Sequence, residues 1–529
     1  MKKNSAFRRA AALMVALSIT VSLAAPAFAD IYYIDDGDIT ITKDEDGQTV
    51  QQNGTTKDDS GEIIITTREQ TITTQESDLE GPAAEDTGFG PVVEDNYQPA
   101  APAQPEDAEE PKDADQPEDD DQKNAEESEN DEEQKDADRQ ENTDRKESAE
   151  EPEDADRKES AGQQAQPQQA APAAAAPAAP AAPTSVITLI NNFANKVLNL
   201  TLKDVKIDVS NTGRENHAGK AALSVQGEGN VEIELDGKNE LKSGYYRAGL
   251  EKNTSAGTLT LKDDNKEAGS GSLNAEGGAL SAGIGGSYNG DSANNGTKNI
   301  IITGGTVTAT GGDGGAGIGG GGDGRNSDSN GKNITITGST VTAKGGNGSA
   351  GIGGGVAGIG EAITITGSTV TATGGIGAAG IGGGIGGSGK AITITGGTAN
   401  ATGGEFGAGI GGGERCDGEN ITITGSTVTA TGDRGGAGIG GGAGESNRGN
   451  GNGNNITITG STVTAISNGC GQRGNGGGAG IGGGCNRNGS HITINGGTVT
   501  AEGGDHGAGI GGGAKGSGSN VTVSGAAQV

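Results

Sequence analysis

The segment Ile334-Thr335-Ile336-Thr337 recurs in exact or near copies that begin at Ile300, Ile334, Ile363, Ile392, Ile421, Ile456, Ile492 and Val521. The intervals between them are 34, 29, 29, 29, 35, 36 and 29 residues. A base period of 29 with insertions of 5 to 7 residues is the mark of a solenoid that takes up its extra residues in corner loops. Degenerate earlier copies near Leu200, Val231 and Leu259 extend the array to roughly eleven coils over residues 185–529.

Within one coil, three strand-like pieces alternate between two sides. Ile334 and Ile336 point one way and Thr335 and Thr337 the other, and Val341 and Ala343 point inward from the next piece. The third piece points Ala350 and Ile352 inward and leaves Gly351 and Gly353 outside as a bare face. Three strands and three corners per coil describe an all-β chain, a parallel β-helix, and the handedness of parallel crossovers makes it right-handed. Six inward apolar groups per coil give on the order of 10 kcal/mol of gross burial, less than the cost of ordering the coil, so one coil cannot stand without its neighbours.

Composition bears on what else this chain could be. With 105 glycines but no G-X-Y period, collagen is excluded, and with no Trp and 2% aromatic residues there is no material for a large aromatic-rich core. Residues 30–184 carry 11 basic and 45 acidic side chains, so their charge of −34 equals that of the whole chain. An acidic segment of this kind repels nucleic acid and anionic membrane.

The sequence divides into four parts. Lys2, Lys3, Arg8 and Arg9, an apolar run over 10–23 and the small-x-small site at 27–29 make residues 1–29 a signal peptide, which predicts a secreted or extracellular protein, held at the cell surface or free. No later run approaches the length of a membrane span. Residues 30–76 hold strand-like runs at 31–34, 39–42 and 63–72, a small β element suited to capping the N-terminal end of the β-helix. Residues 77–184 read as a disordered linker, acidic and then Ala/Pro-rich, and residues 185–529 as the glycine-rich β-helix. Of the three cysteines, Cys416, Cys470 and Cys485, the last two are a candidate disulfide pair, since export would permit one.

The run GGTVTATGGDGGAGIGGG at 304–321 and its copies, with DDGDITIT at 35–42 and GQTVQQNG at 47–54, resemble the glycine-rich right-handed parallel β-helix proteins secreted by or displayed on Gram-positive bacteria. Those proteins are often described as carbohydrate-binding and adhesin-like. The resemblance implies a right-handed β-helix and glycan binding, with a polysaccharide or cell-wall glycan as partner.

Calcium turns would need carboxylates where Ala316, Ala350, Ala379, Ala408, Ala437, Ala479 and Ala508 stand, and His217, His491 and His506 are scattered, so no metal and no cofactor is expected. Polysaccharide cleavage needs clustered carboxylates. The column Asp313, Asn347, Ile376, Glu405, Arg434, Gly476 and Asp505 keeps none. Ice binding by the outward threonine columns meets an interruption at Ala399 and Asn400. Basic and acidic residues at the corner after the third strand, among them Lys332, Lys390, Arg415, Glu361, Glu414 and Glu419, read as a solvated rim. Sugar binding needs aromatic faces beside hydrogen-bonding groups, and Tyr245, Tyr246 and Arg247 supply them in an early coil. The expected function is therefore a non-enzymatic, adhesin-like or structural β-helix with a glycan contact at Tyr245, Tyr246 and Arg247. The alternative is a polysaccharide lyase or hydrolase with its site in coils 185–290, drawing on Asp204, Asp208, Glu232, Glu234 and Asp236.

Overall fold

The computed structural model describes residues 29–68 and 184–529, apart from 254, 265–270, 291–294, 323–327, 445–450 and 470–475. The leader up to residue 28, the linker from 77 to 183 and Cys470, with its candidate disulfide, lie outside the described residues.

The described chain is a parallel β-helix with three strand faces. The first face carries the ITIT strands, Gly331–Thr337 and its equivalents, and the second the TVTA strands such as Thr340–Lys344. The third face carries two-residue strands such as Ile352–Gly353. Ile300, Ile334, Ile363, Ile392, Ile421, Ile456, Ile492 and Val521 stand in one register, so the repeat read from the sequence is the stacking repeat of the fold. Val231 and Leu259 continue that column toward the N-terminus, but its next member is Leu198, two residues before the expected Leu200. Residues at the inward positions, Ile334, Ile336, Val341, Ala343, Ala350 and Ile352 among them, are buried, and one apolar core runs from Ile34 to Val499.

Residues 30–66 complete the N-terminal end. Ile39–Lys43 pairs in parallel with Ile187–Asn191, and Ile63–Thr66 pairs with both Asp30–Tyr33 and Val197–Lys203. Two strands unread in the sequence, Gln48–Gln52 and Thr55–Asp58, fold back antiparallel from the Ile39–Lys43 strand. Their signal was present: Asn53 and Gly54 both have positive φ, the backbone of a two-residue hairpin turn that an Asn-Gly pair favours. The Tyr32 hydroxyl donates to Asp59 at 2.8 Å and the Gln48 side chain donates to the Asp59 carbonyl at 2.9 Å, which ties the hairpin to the first strand.

Each first-face strand from Thr297–Thr303 onward contains one residue that the pairing skips, just before the inward isoleucine or, in the last strand, valine. Asn299, Asn333, Ala362, Ala391, Asn420, Asn455, His491 and Asn520 occupy this position, all with left-handed φ between 52° and 62°. Asparagine tolerates that backbone better than other side-chain-bearing residues. It also stacks here: Asn333 donates to Asn299 at 3.0 Å and Asn455 to Asn420 at 2.6 Å. Ala362 and Ala391 break the ladder and keep the strained backbone. Replacing either by asparagine should stabilise the fold by about 0.5–1 kcal/mol, and a denaturant midpoint that fails to rise would show that the alanines carry no strain.

The glycines of the third face are not bare. Gly351, Gly353, Gly354 and Gly355 are buried, and so are their equivalents in coils on either side. In the later coils, loops before and after the third strand close over it: Ile385 N–H donates to the Gly348 carbonyl, Glu414 to Gly377, Ala443 to Phe406, Cys485 to Gly435 and Ala514 to Gly477. Donors lie four residues after the third-strand isoleucine, acceptors four before it in the preceding coil. Where the acceptor position is glycine, the donor position can be large, as with Gly377 beside Ile385; where it is Phe406, the donor is Ala443. The sheath carries its own small apolar cluster of Ala443, Cys485 and Ala514 against Phe406.

Candidate functional site

The sheath does not extend over the early coils, because their third-face positions change character along the stack. Outward residues there are Thr188, then Ser224 and Gln226, then Glu251, before glycine takes over at Gly285. The uncovered stretch holds a cavity of about 230 Å³ lined by Thr188, Lys220, Ser224, Gln226, Arg247 and Glu251. Arg247 Nη1 lies 3.3 Å from both carboxylate oxygens of Glu251. The Ser287 hydroxyl donates to Glu251 at 2.7 Å and accepts from the Ala248 N–H at 2.8 Å, so the carboxylate is held from two sides.

The three tyrosines of these coils do not line this cavity; they form a stack of their own, next in the chain to Arg247. Tyr245 and Tyr246 have ring centroids 4.5 Å apart at 60°, and Tyr246 and Tyr288 4.7 Å apart at 59°. Tyr246 is four residues before Leu250 and Tyr288 four after Ile284, the same column positions that close the sheath in later coils. The aromatic stack is thus where the sheath begins. Tyr246 has φ 64°, the left-handed value that glycine supplies at Gly348 and Gly377 in this column. Backbone bonds fix Tyr245, whose N–H donates to the Thr212 carbonyl and whose carbonyl accepts from Gly219. All three rings remain half-buried and keep exposed surface. Tyr245 and Tyr246 thus stack with Tyr288 of the next coil, a partner that nothing local in the sequence marks.

The alternative acids divide. Glu232 and Glu234 point outward on the first face and line a second cavity, of about 490 Å³, with Glu62, Asn199, Lys262 and Asp264. Lys262 Nζ is 2.9 Å from Asp264 and 3.6 Å from Glu232, and the Asp264 N–H donates to Glu234 at 2.8 Å. Burial is the main cause that pushes the Glu234 carboxyl above its ordinary value. Glu62 belongs to the N-terminal residues and joins the site only through the parallel pairing of Ile63–Thr66 with the early coils. Asp204, Asp208 and Asp236 do not line this cavity. Asp204 accepts from the Lys238 N–H, Asp208 from Ser210, and Asp236 pairs with Lys203 at 2.9 Å.

Other sequence features resolve into structure. Ala316 and its equivalents through Ala479 are fully buried, and no group of three metal-ligating side chains occurs among the described residues. Outward threonines do stack, Thr306 with Thr340, Thr369, Thr398, Thr427, Thr462 and Thr498. Only Asn400 interrupts the neighbouring column, because Ala399 faces inward in line with Val370 and Val428. Lys332, Glu361, Lys390 and Glu419 are not in the corner after the third strand; they stand in register on the first-face strands, with Lys332–Glu361 at 2.9 Å and Lys390–Glu419 at 3.6 Å. Arg434 pairs with Glu405 at 2.9 Å in the column where catalytic acids were sought. No described helix is long and apolar enough to cross a membrane.

A sequence model described as the β-helix repeat matches residues 269–288, 300–322, 334–356, 363–389, 392–414, 421–443, 456–485 and 492–514. No curated protein and no solved structure matches the chain. The matched segments coincide with coils that stack in a single parallel register, and on both grounds the chain is a β-helix protein.

Proposed function

We propose that this chain is an exported, non-catalytic β-helix protein of adhesin type that binds glycan in the third-face groove of its early coils. The observations that carry this reading are the stack of Tyr245, Tyr246 and Tyr288 and, beginning at the next residue in the chain, Arg247, a groove furnished also with Glu251, Gln226 and Ser224. Sugar rings present apolar C–H faces to aromatic rings and hydroxyls to polar side chains, and both partners are offered here. The signal-like N-terminus supports export, and the later coils, with their covered glycines and paired surface charges, serve as scaffold.

The test is a glycan array probed with the full chain, scoring both retention and release of shortened sugars. Retention without release is expected, and Tyr245→Ala should reduce it about tenfold, since losing an aromatic platform costs on the order of 1 kcal/mol or more. Circular dichroism on the variant separates lost binding from lost folding. Retention unchanged in Tyr245→Ala and Tyr288→Ala would move the site elsewhere.

A second reading has one observation in its favour: Glu62, Glu232, Glu234 and Asp264 line one cavity, and the Glu234 carboxyl is raised. A carboxyl held above its ordinary value among other acidic side chains is the arrangement that acid–base cleavage of a glycosidic bond uses. Shortened sugars released by the wild type and not by Glu234→Gln would establish that reading in place of the first.

A further inference from the structure

We propose that the third-face groove selects an anionic sugar unit and that Arg247, assisted by Lys220, reads its charge. This rests on the glycan-binding reading of the same groove and adds the class of ligand.

The charges of the two early-coil cavities are opposite. The first-face cavity is lined by four acids, Glu62, Glu232, Glu234 and Asp264, against Lys262. The third-face groove is lined by Lys220 and Arg247 against Glu251 alone. That single acid is already engaged, by Arg247 Nη1 and by the Ser287 hydroxyl. Arg247 uses only this one side-chain nitrogen among the described contacts, so its Nη2 and Nε donors remain for a carboxylate or phosphate. A guanidinium fork suits such a planar or tetrahedral anion better than an ammonium does.

Among the described residues the Lys220 side chain reaches only the Thr184 carbonyl, at 3.4 Å, a weak contact that a ligand anion can replace. Thr188, Ser224 and Gln226 are uncharged and suited to sugar hydroxyls. The volume, about 230 Å³, lies below the roughly 300–1,000 Å³ that encloses a drug-sized ligand, so the groove fits one sugar unit of a chain at a time. Glu251 has a second consequence: by occupying one edge of Arg247 it orients the guanidinium, and it also lowers the net positive charge that a ligand meets.

The experiment is calorimetric titration of the full chain with a trisaccharide of galacturonate, its uncharged galactose counterpart and the same galactose trisaccharide carrying phosphate. At least one charged probe should bind about tenfold or more tightly than the neutral one, and more weakly as salt rises from about 50 to 500 mM. The carboxylate and phosphate arms decide which anion is preferred. Arg247→Ala should bring charged and neutral probes to within about threefold of each other, the share left to Lys220, with Arg247→Lys restoring part of the difference. Lys220→Ala, whose side chain is exposed, should lower charged-probe affinity by about threefold and guards against a misfolded Arg247 variant. Charged and neutral probes bound alike by the wild type would overturn the charge assignment and leave the glycan site standing. No binding of any of the three, with none on the array, would overturn both.

Discussion

Gly382→Ala should cost the β-helix roughly 3–5 kcal/mol, while Gly367→Ala, at another positive-φ glycine earlier in the same coil, should cost about 1 kcal/mol. Both glycines have backbone angles that L-residues avoid, φ 138° at Gly382 and 57° at Gly367. They differ in what surrounds them. An added Cβ at Gly367 meets nothing within 4 Å, so only the left-handed backbone is strained. At Gly382 it would overlap the carbonyl oxygen of Gly411 in the coil above, the same oxygen that accepts the Gly383 N–H at 3.0 Å. The methyl group therefore damages a ladder bond as well as the conformation. The conflict cannot relax sideways, because Gly353, Gly382, Gly411, Gly440 and Gly482 stack in one column with φ near 136°. Guanidinium unfolding of the two variants measures the costs. Amide exchange should quicken in the coils on either side of Gly382, because a solenoid is held by nearest-neighbour terms. Equal, small losses at the two sites would remove this account of the glycine column.

That column also shows where reading the sequence stopped. Alternation gave Ile334, Ile336, Val341 and Ala343 their inward side correctly, because side-chain direction in a strand depends only on local parity. Parity equally placed Gly351 and Gly353 outside, but it carries no information about what lies over them. The covering comes from loops four residues to either side, paired between neighbouring coils, and the trace they leave in sequence is reciprocal size: Gly348 and Gly377 beside Ile385, Phe406 beside Ala443. Such a trace is visible only once coils are aligned and non-adjacent columns compared. For the candidate site the same limit applies. Tyr245, Tyr246 and Arg247 are contiguous and could be read; Tyr288 and Glu251 join them only through the stacking of one coil on the next. Glu62 joins Glu232 and Glu234 across the whole acidic insert, which no local pattern signals.

Between about pH 8 and 10.5 the wild type should gain about 3 kcal/mol of stability relative to Lys252→Met. Lys252 stands in register with the inward Val225 and is 1% exposed, a position that every neighbouring coil gives to an uncharged residue. Its Nζ finds the Asn253 carbonyl at 3.0 Å, the Ser255 carbonyl at 3.2 Å and the Ser255 hydroxyl at 3.1 Å, and no carboxylate is among these partners. Burial, with the nearby Lys298 charge, brings its ammonium down to about 8 from an ordinary 10.5. Below pH 8 the amine is charged in both folded and unfolded chains, and the folded chain bears the full cost of the buried charge. As pH rises from 8 to 10.5 the folded chain releases its proton first, so the unfolded chain binds more protons and the free energy of unfolding climbs with pH. The shift of the ammonium sets the size of the climb at about 3 kcal/mol. Methionine keeps the apolar stem without the titrating group, so the variant keeps every other pH effect and loses this one. Urea melts of both proteins at neutral pH and near pH 10 give the difference directly. A difference that stays flat across that range would mean that the amine reaches water and that the three oxygens around it do not hold it. A rising one would place a charge-destabilised coil directly beneath Arg247 and Glu251. Because Glu251 and Lys252 are adjacent and point to opposite sides of one strand, that coil's core would then be at its weakest at neutral pH, where the groove on its outer side would be asked to bind.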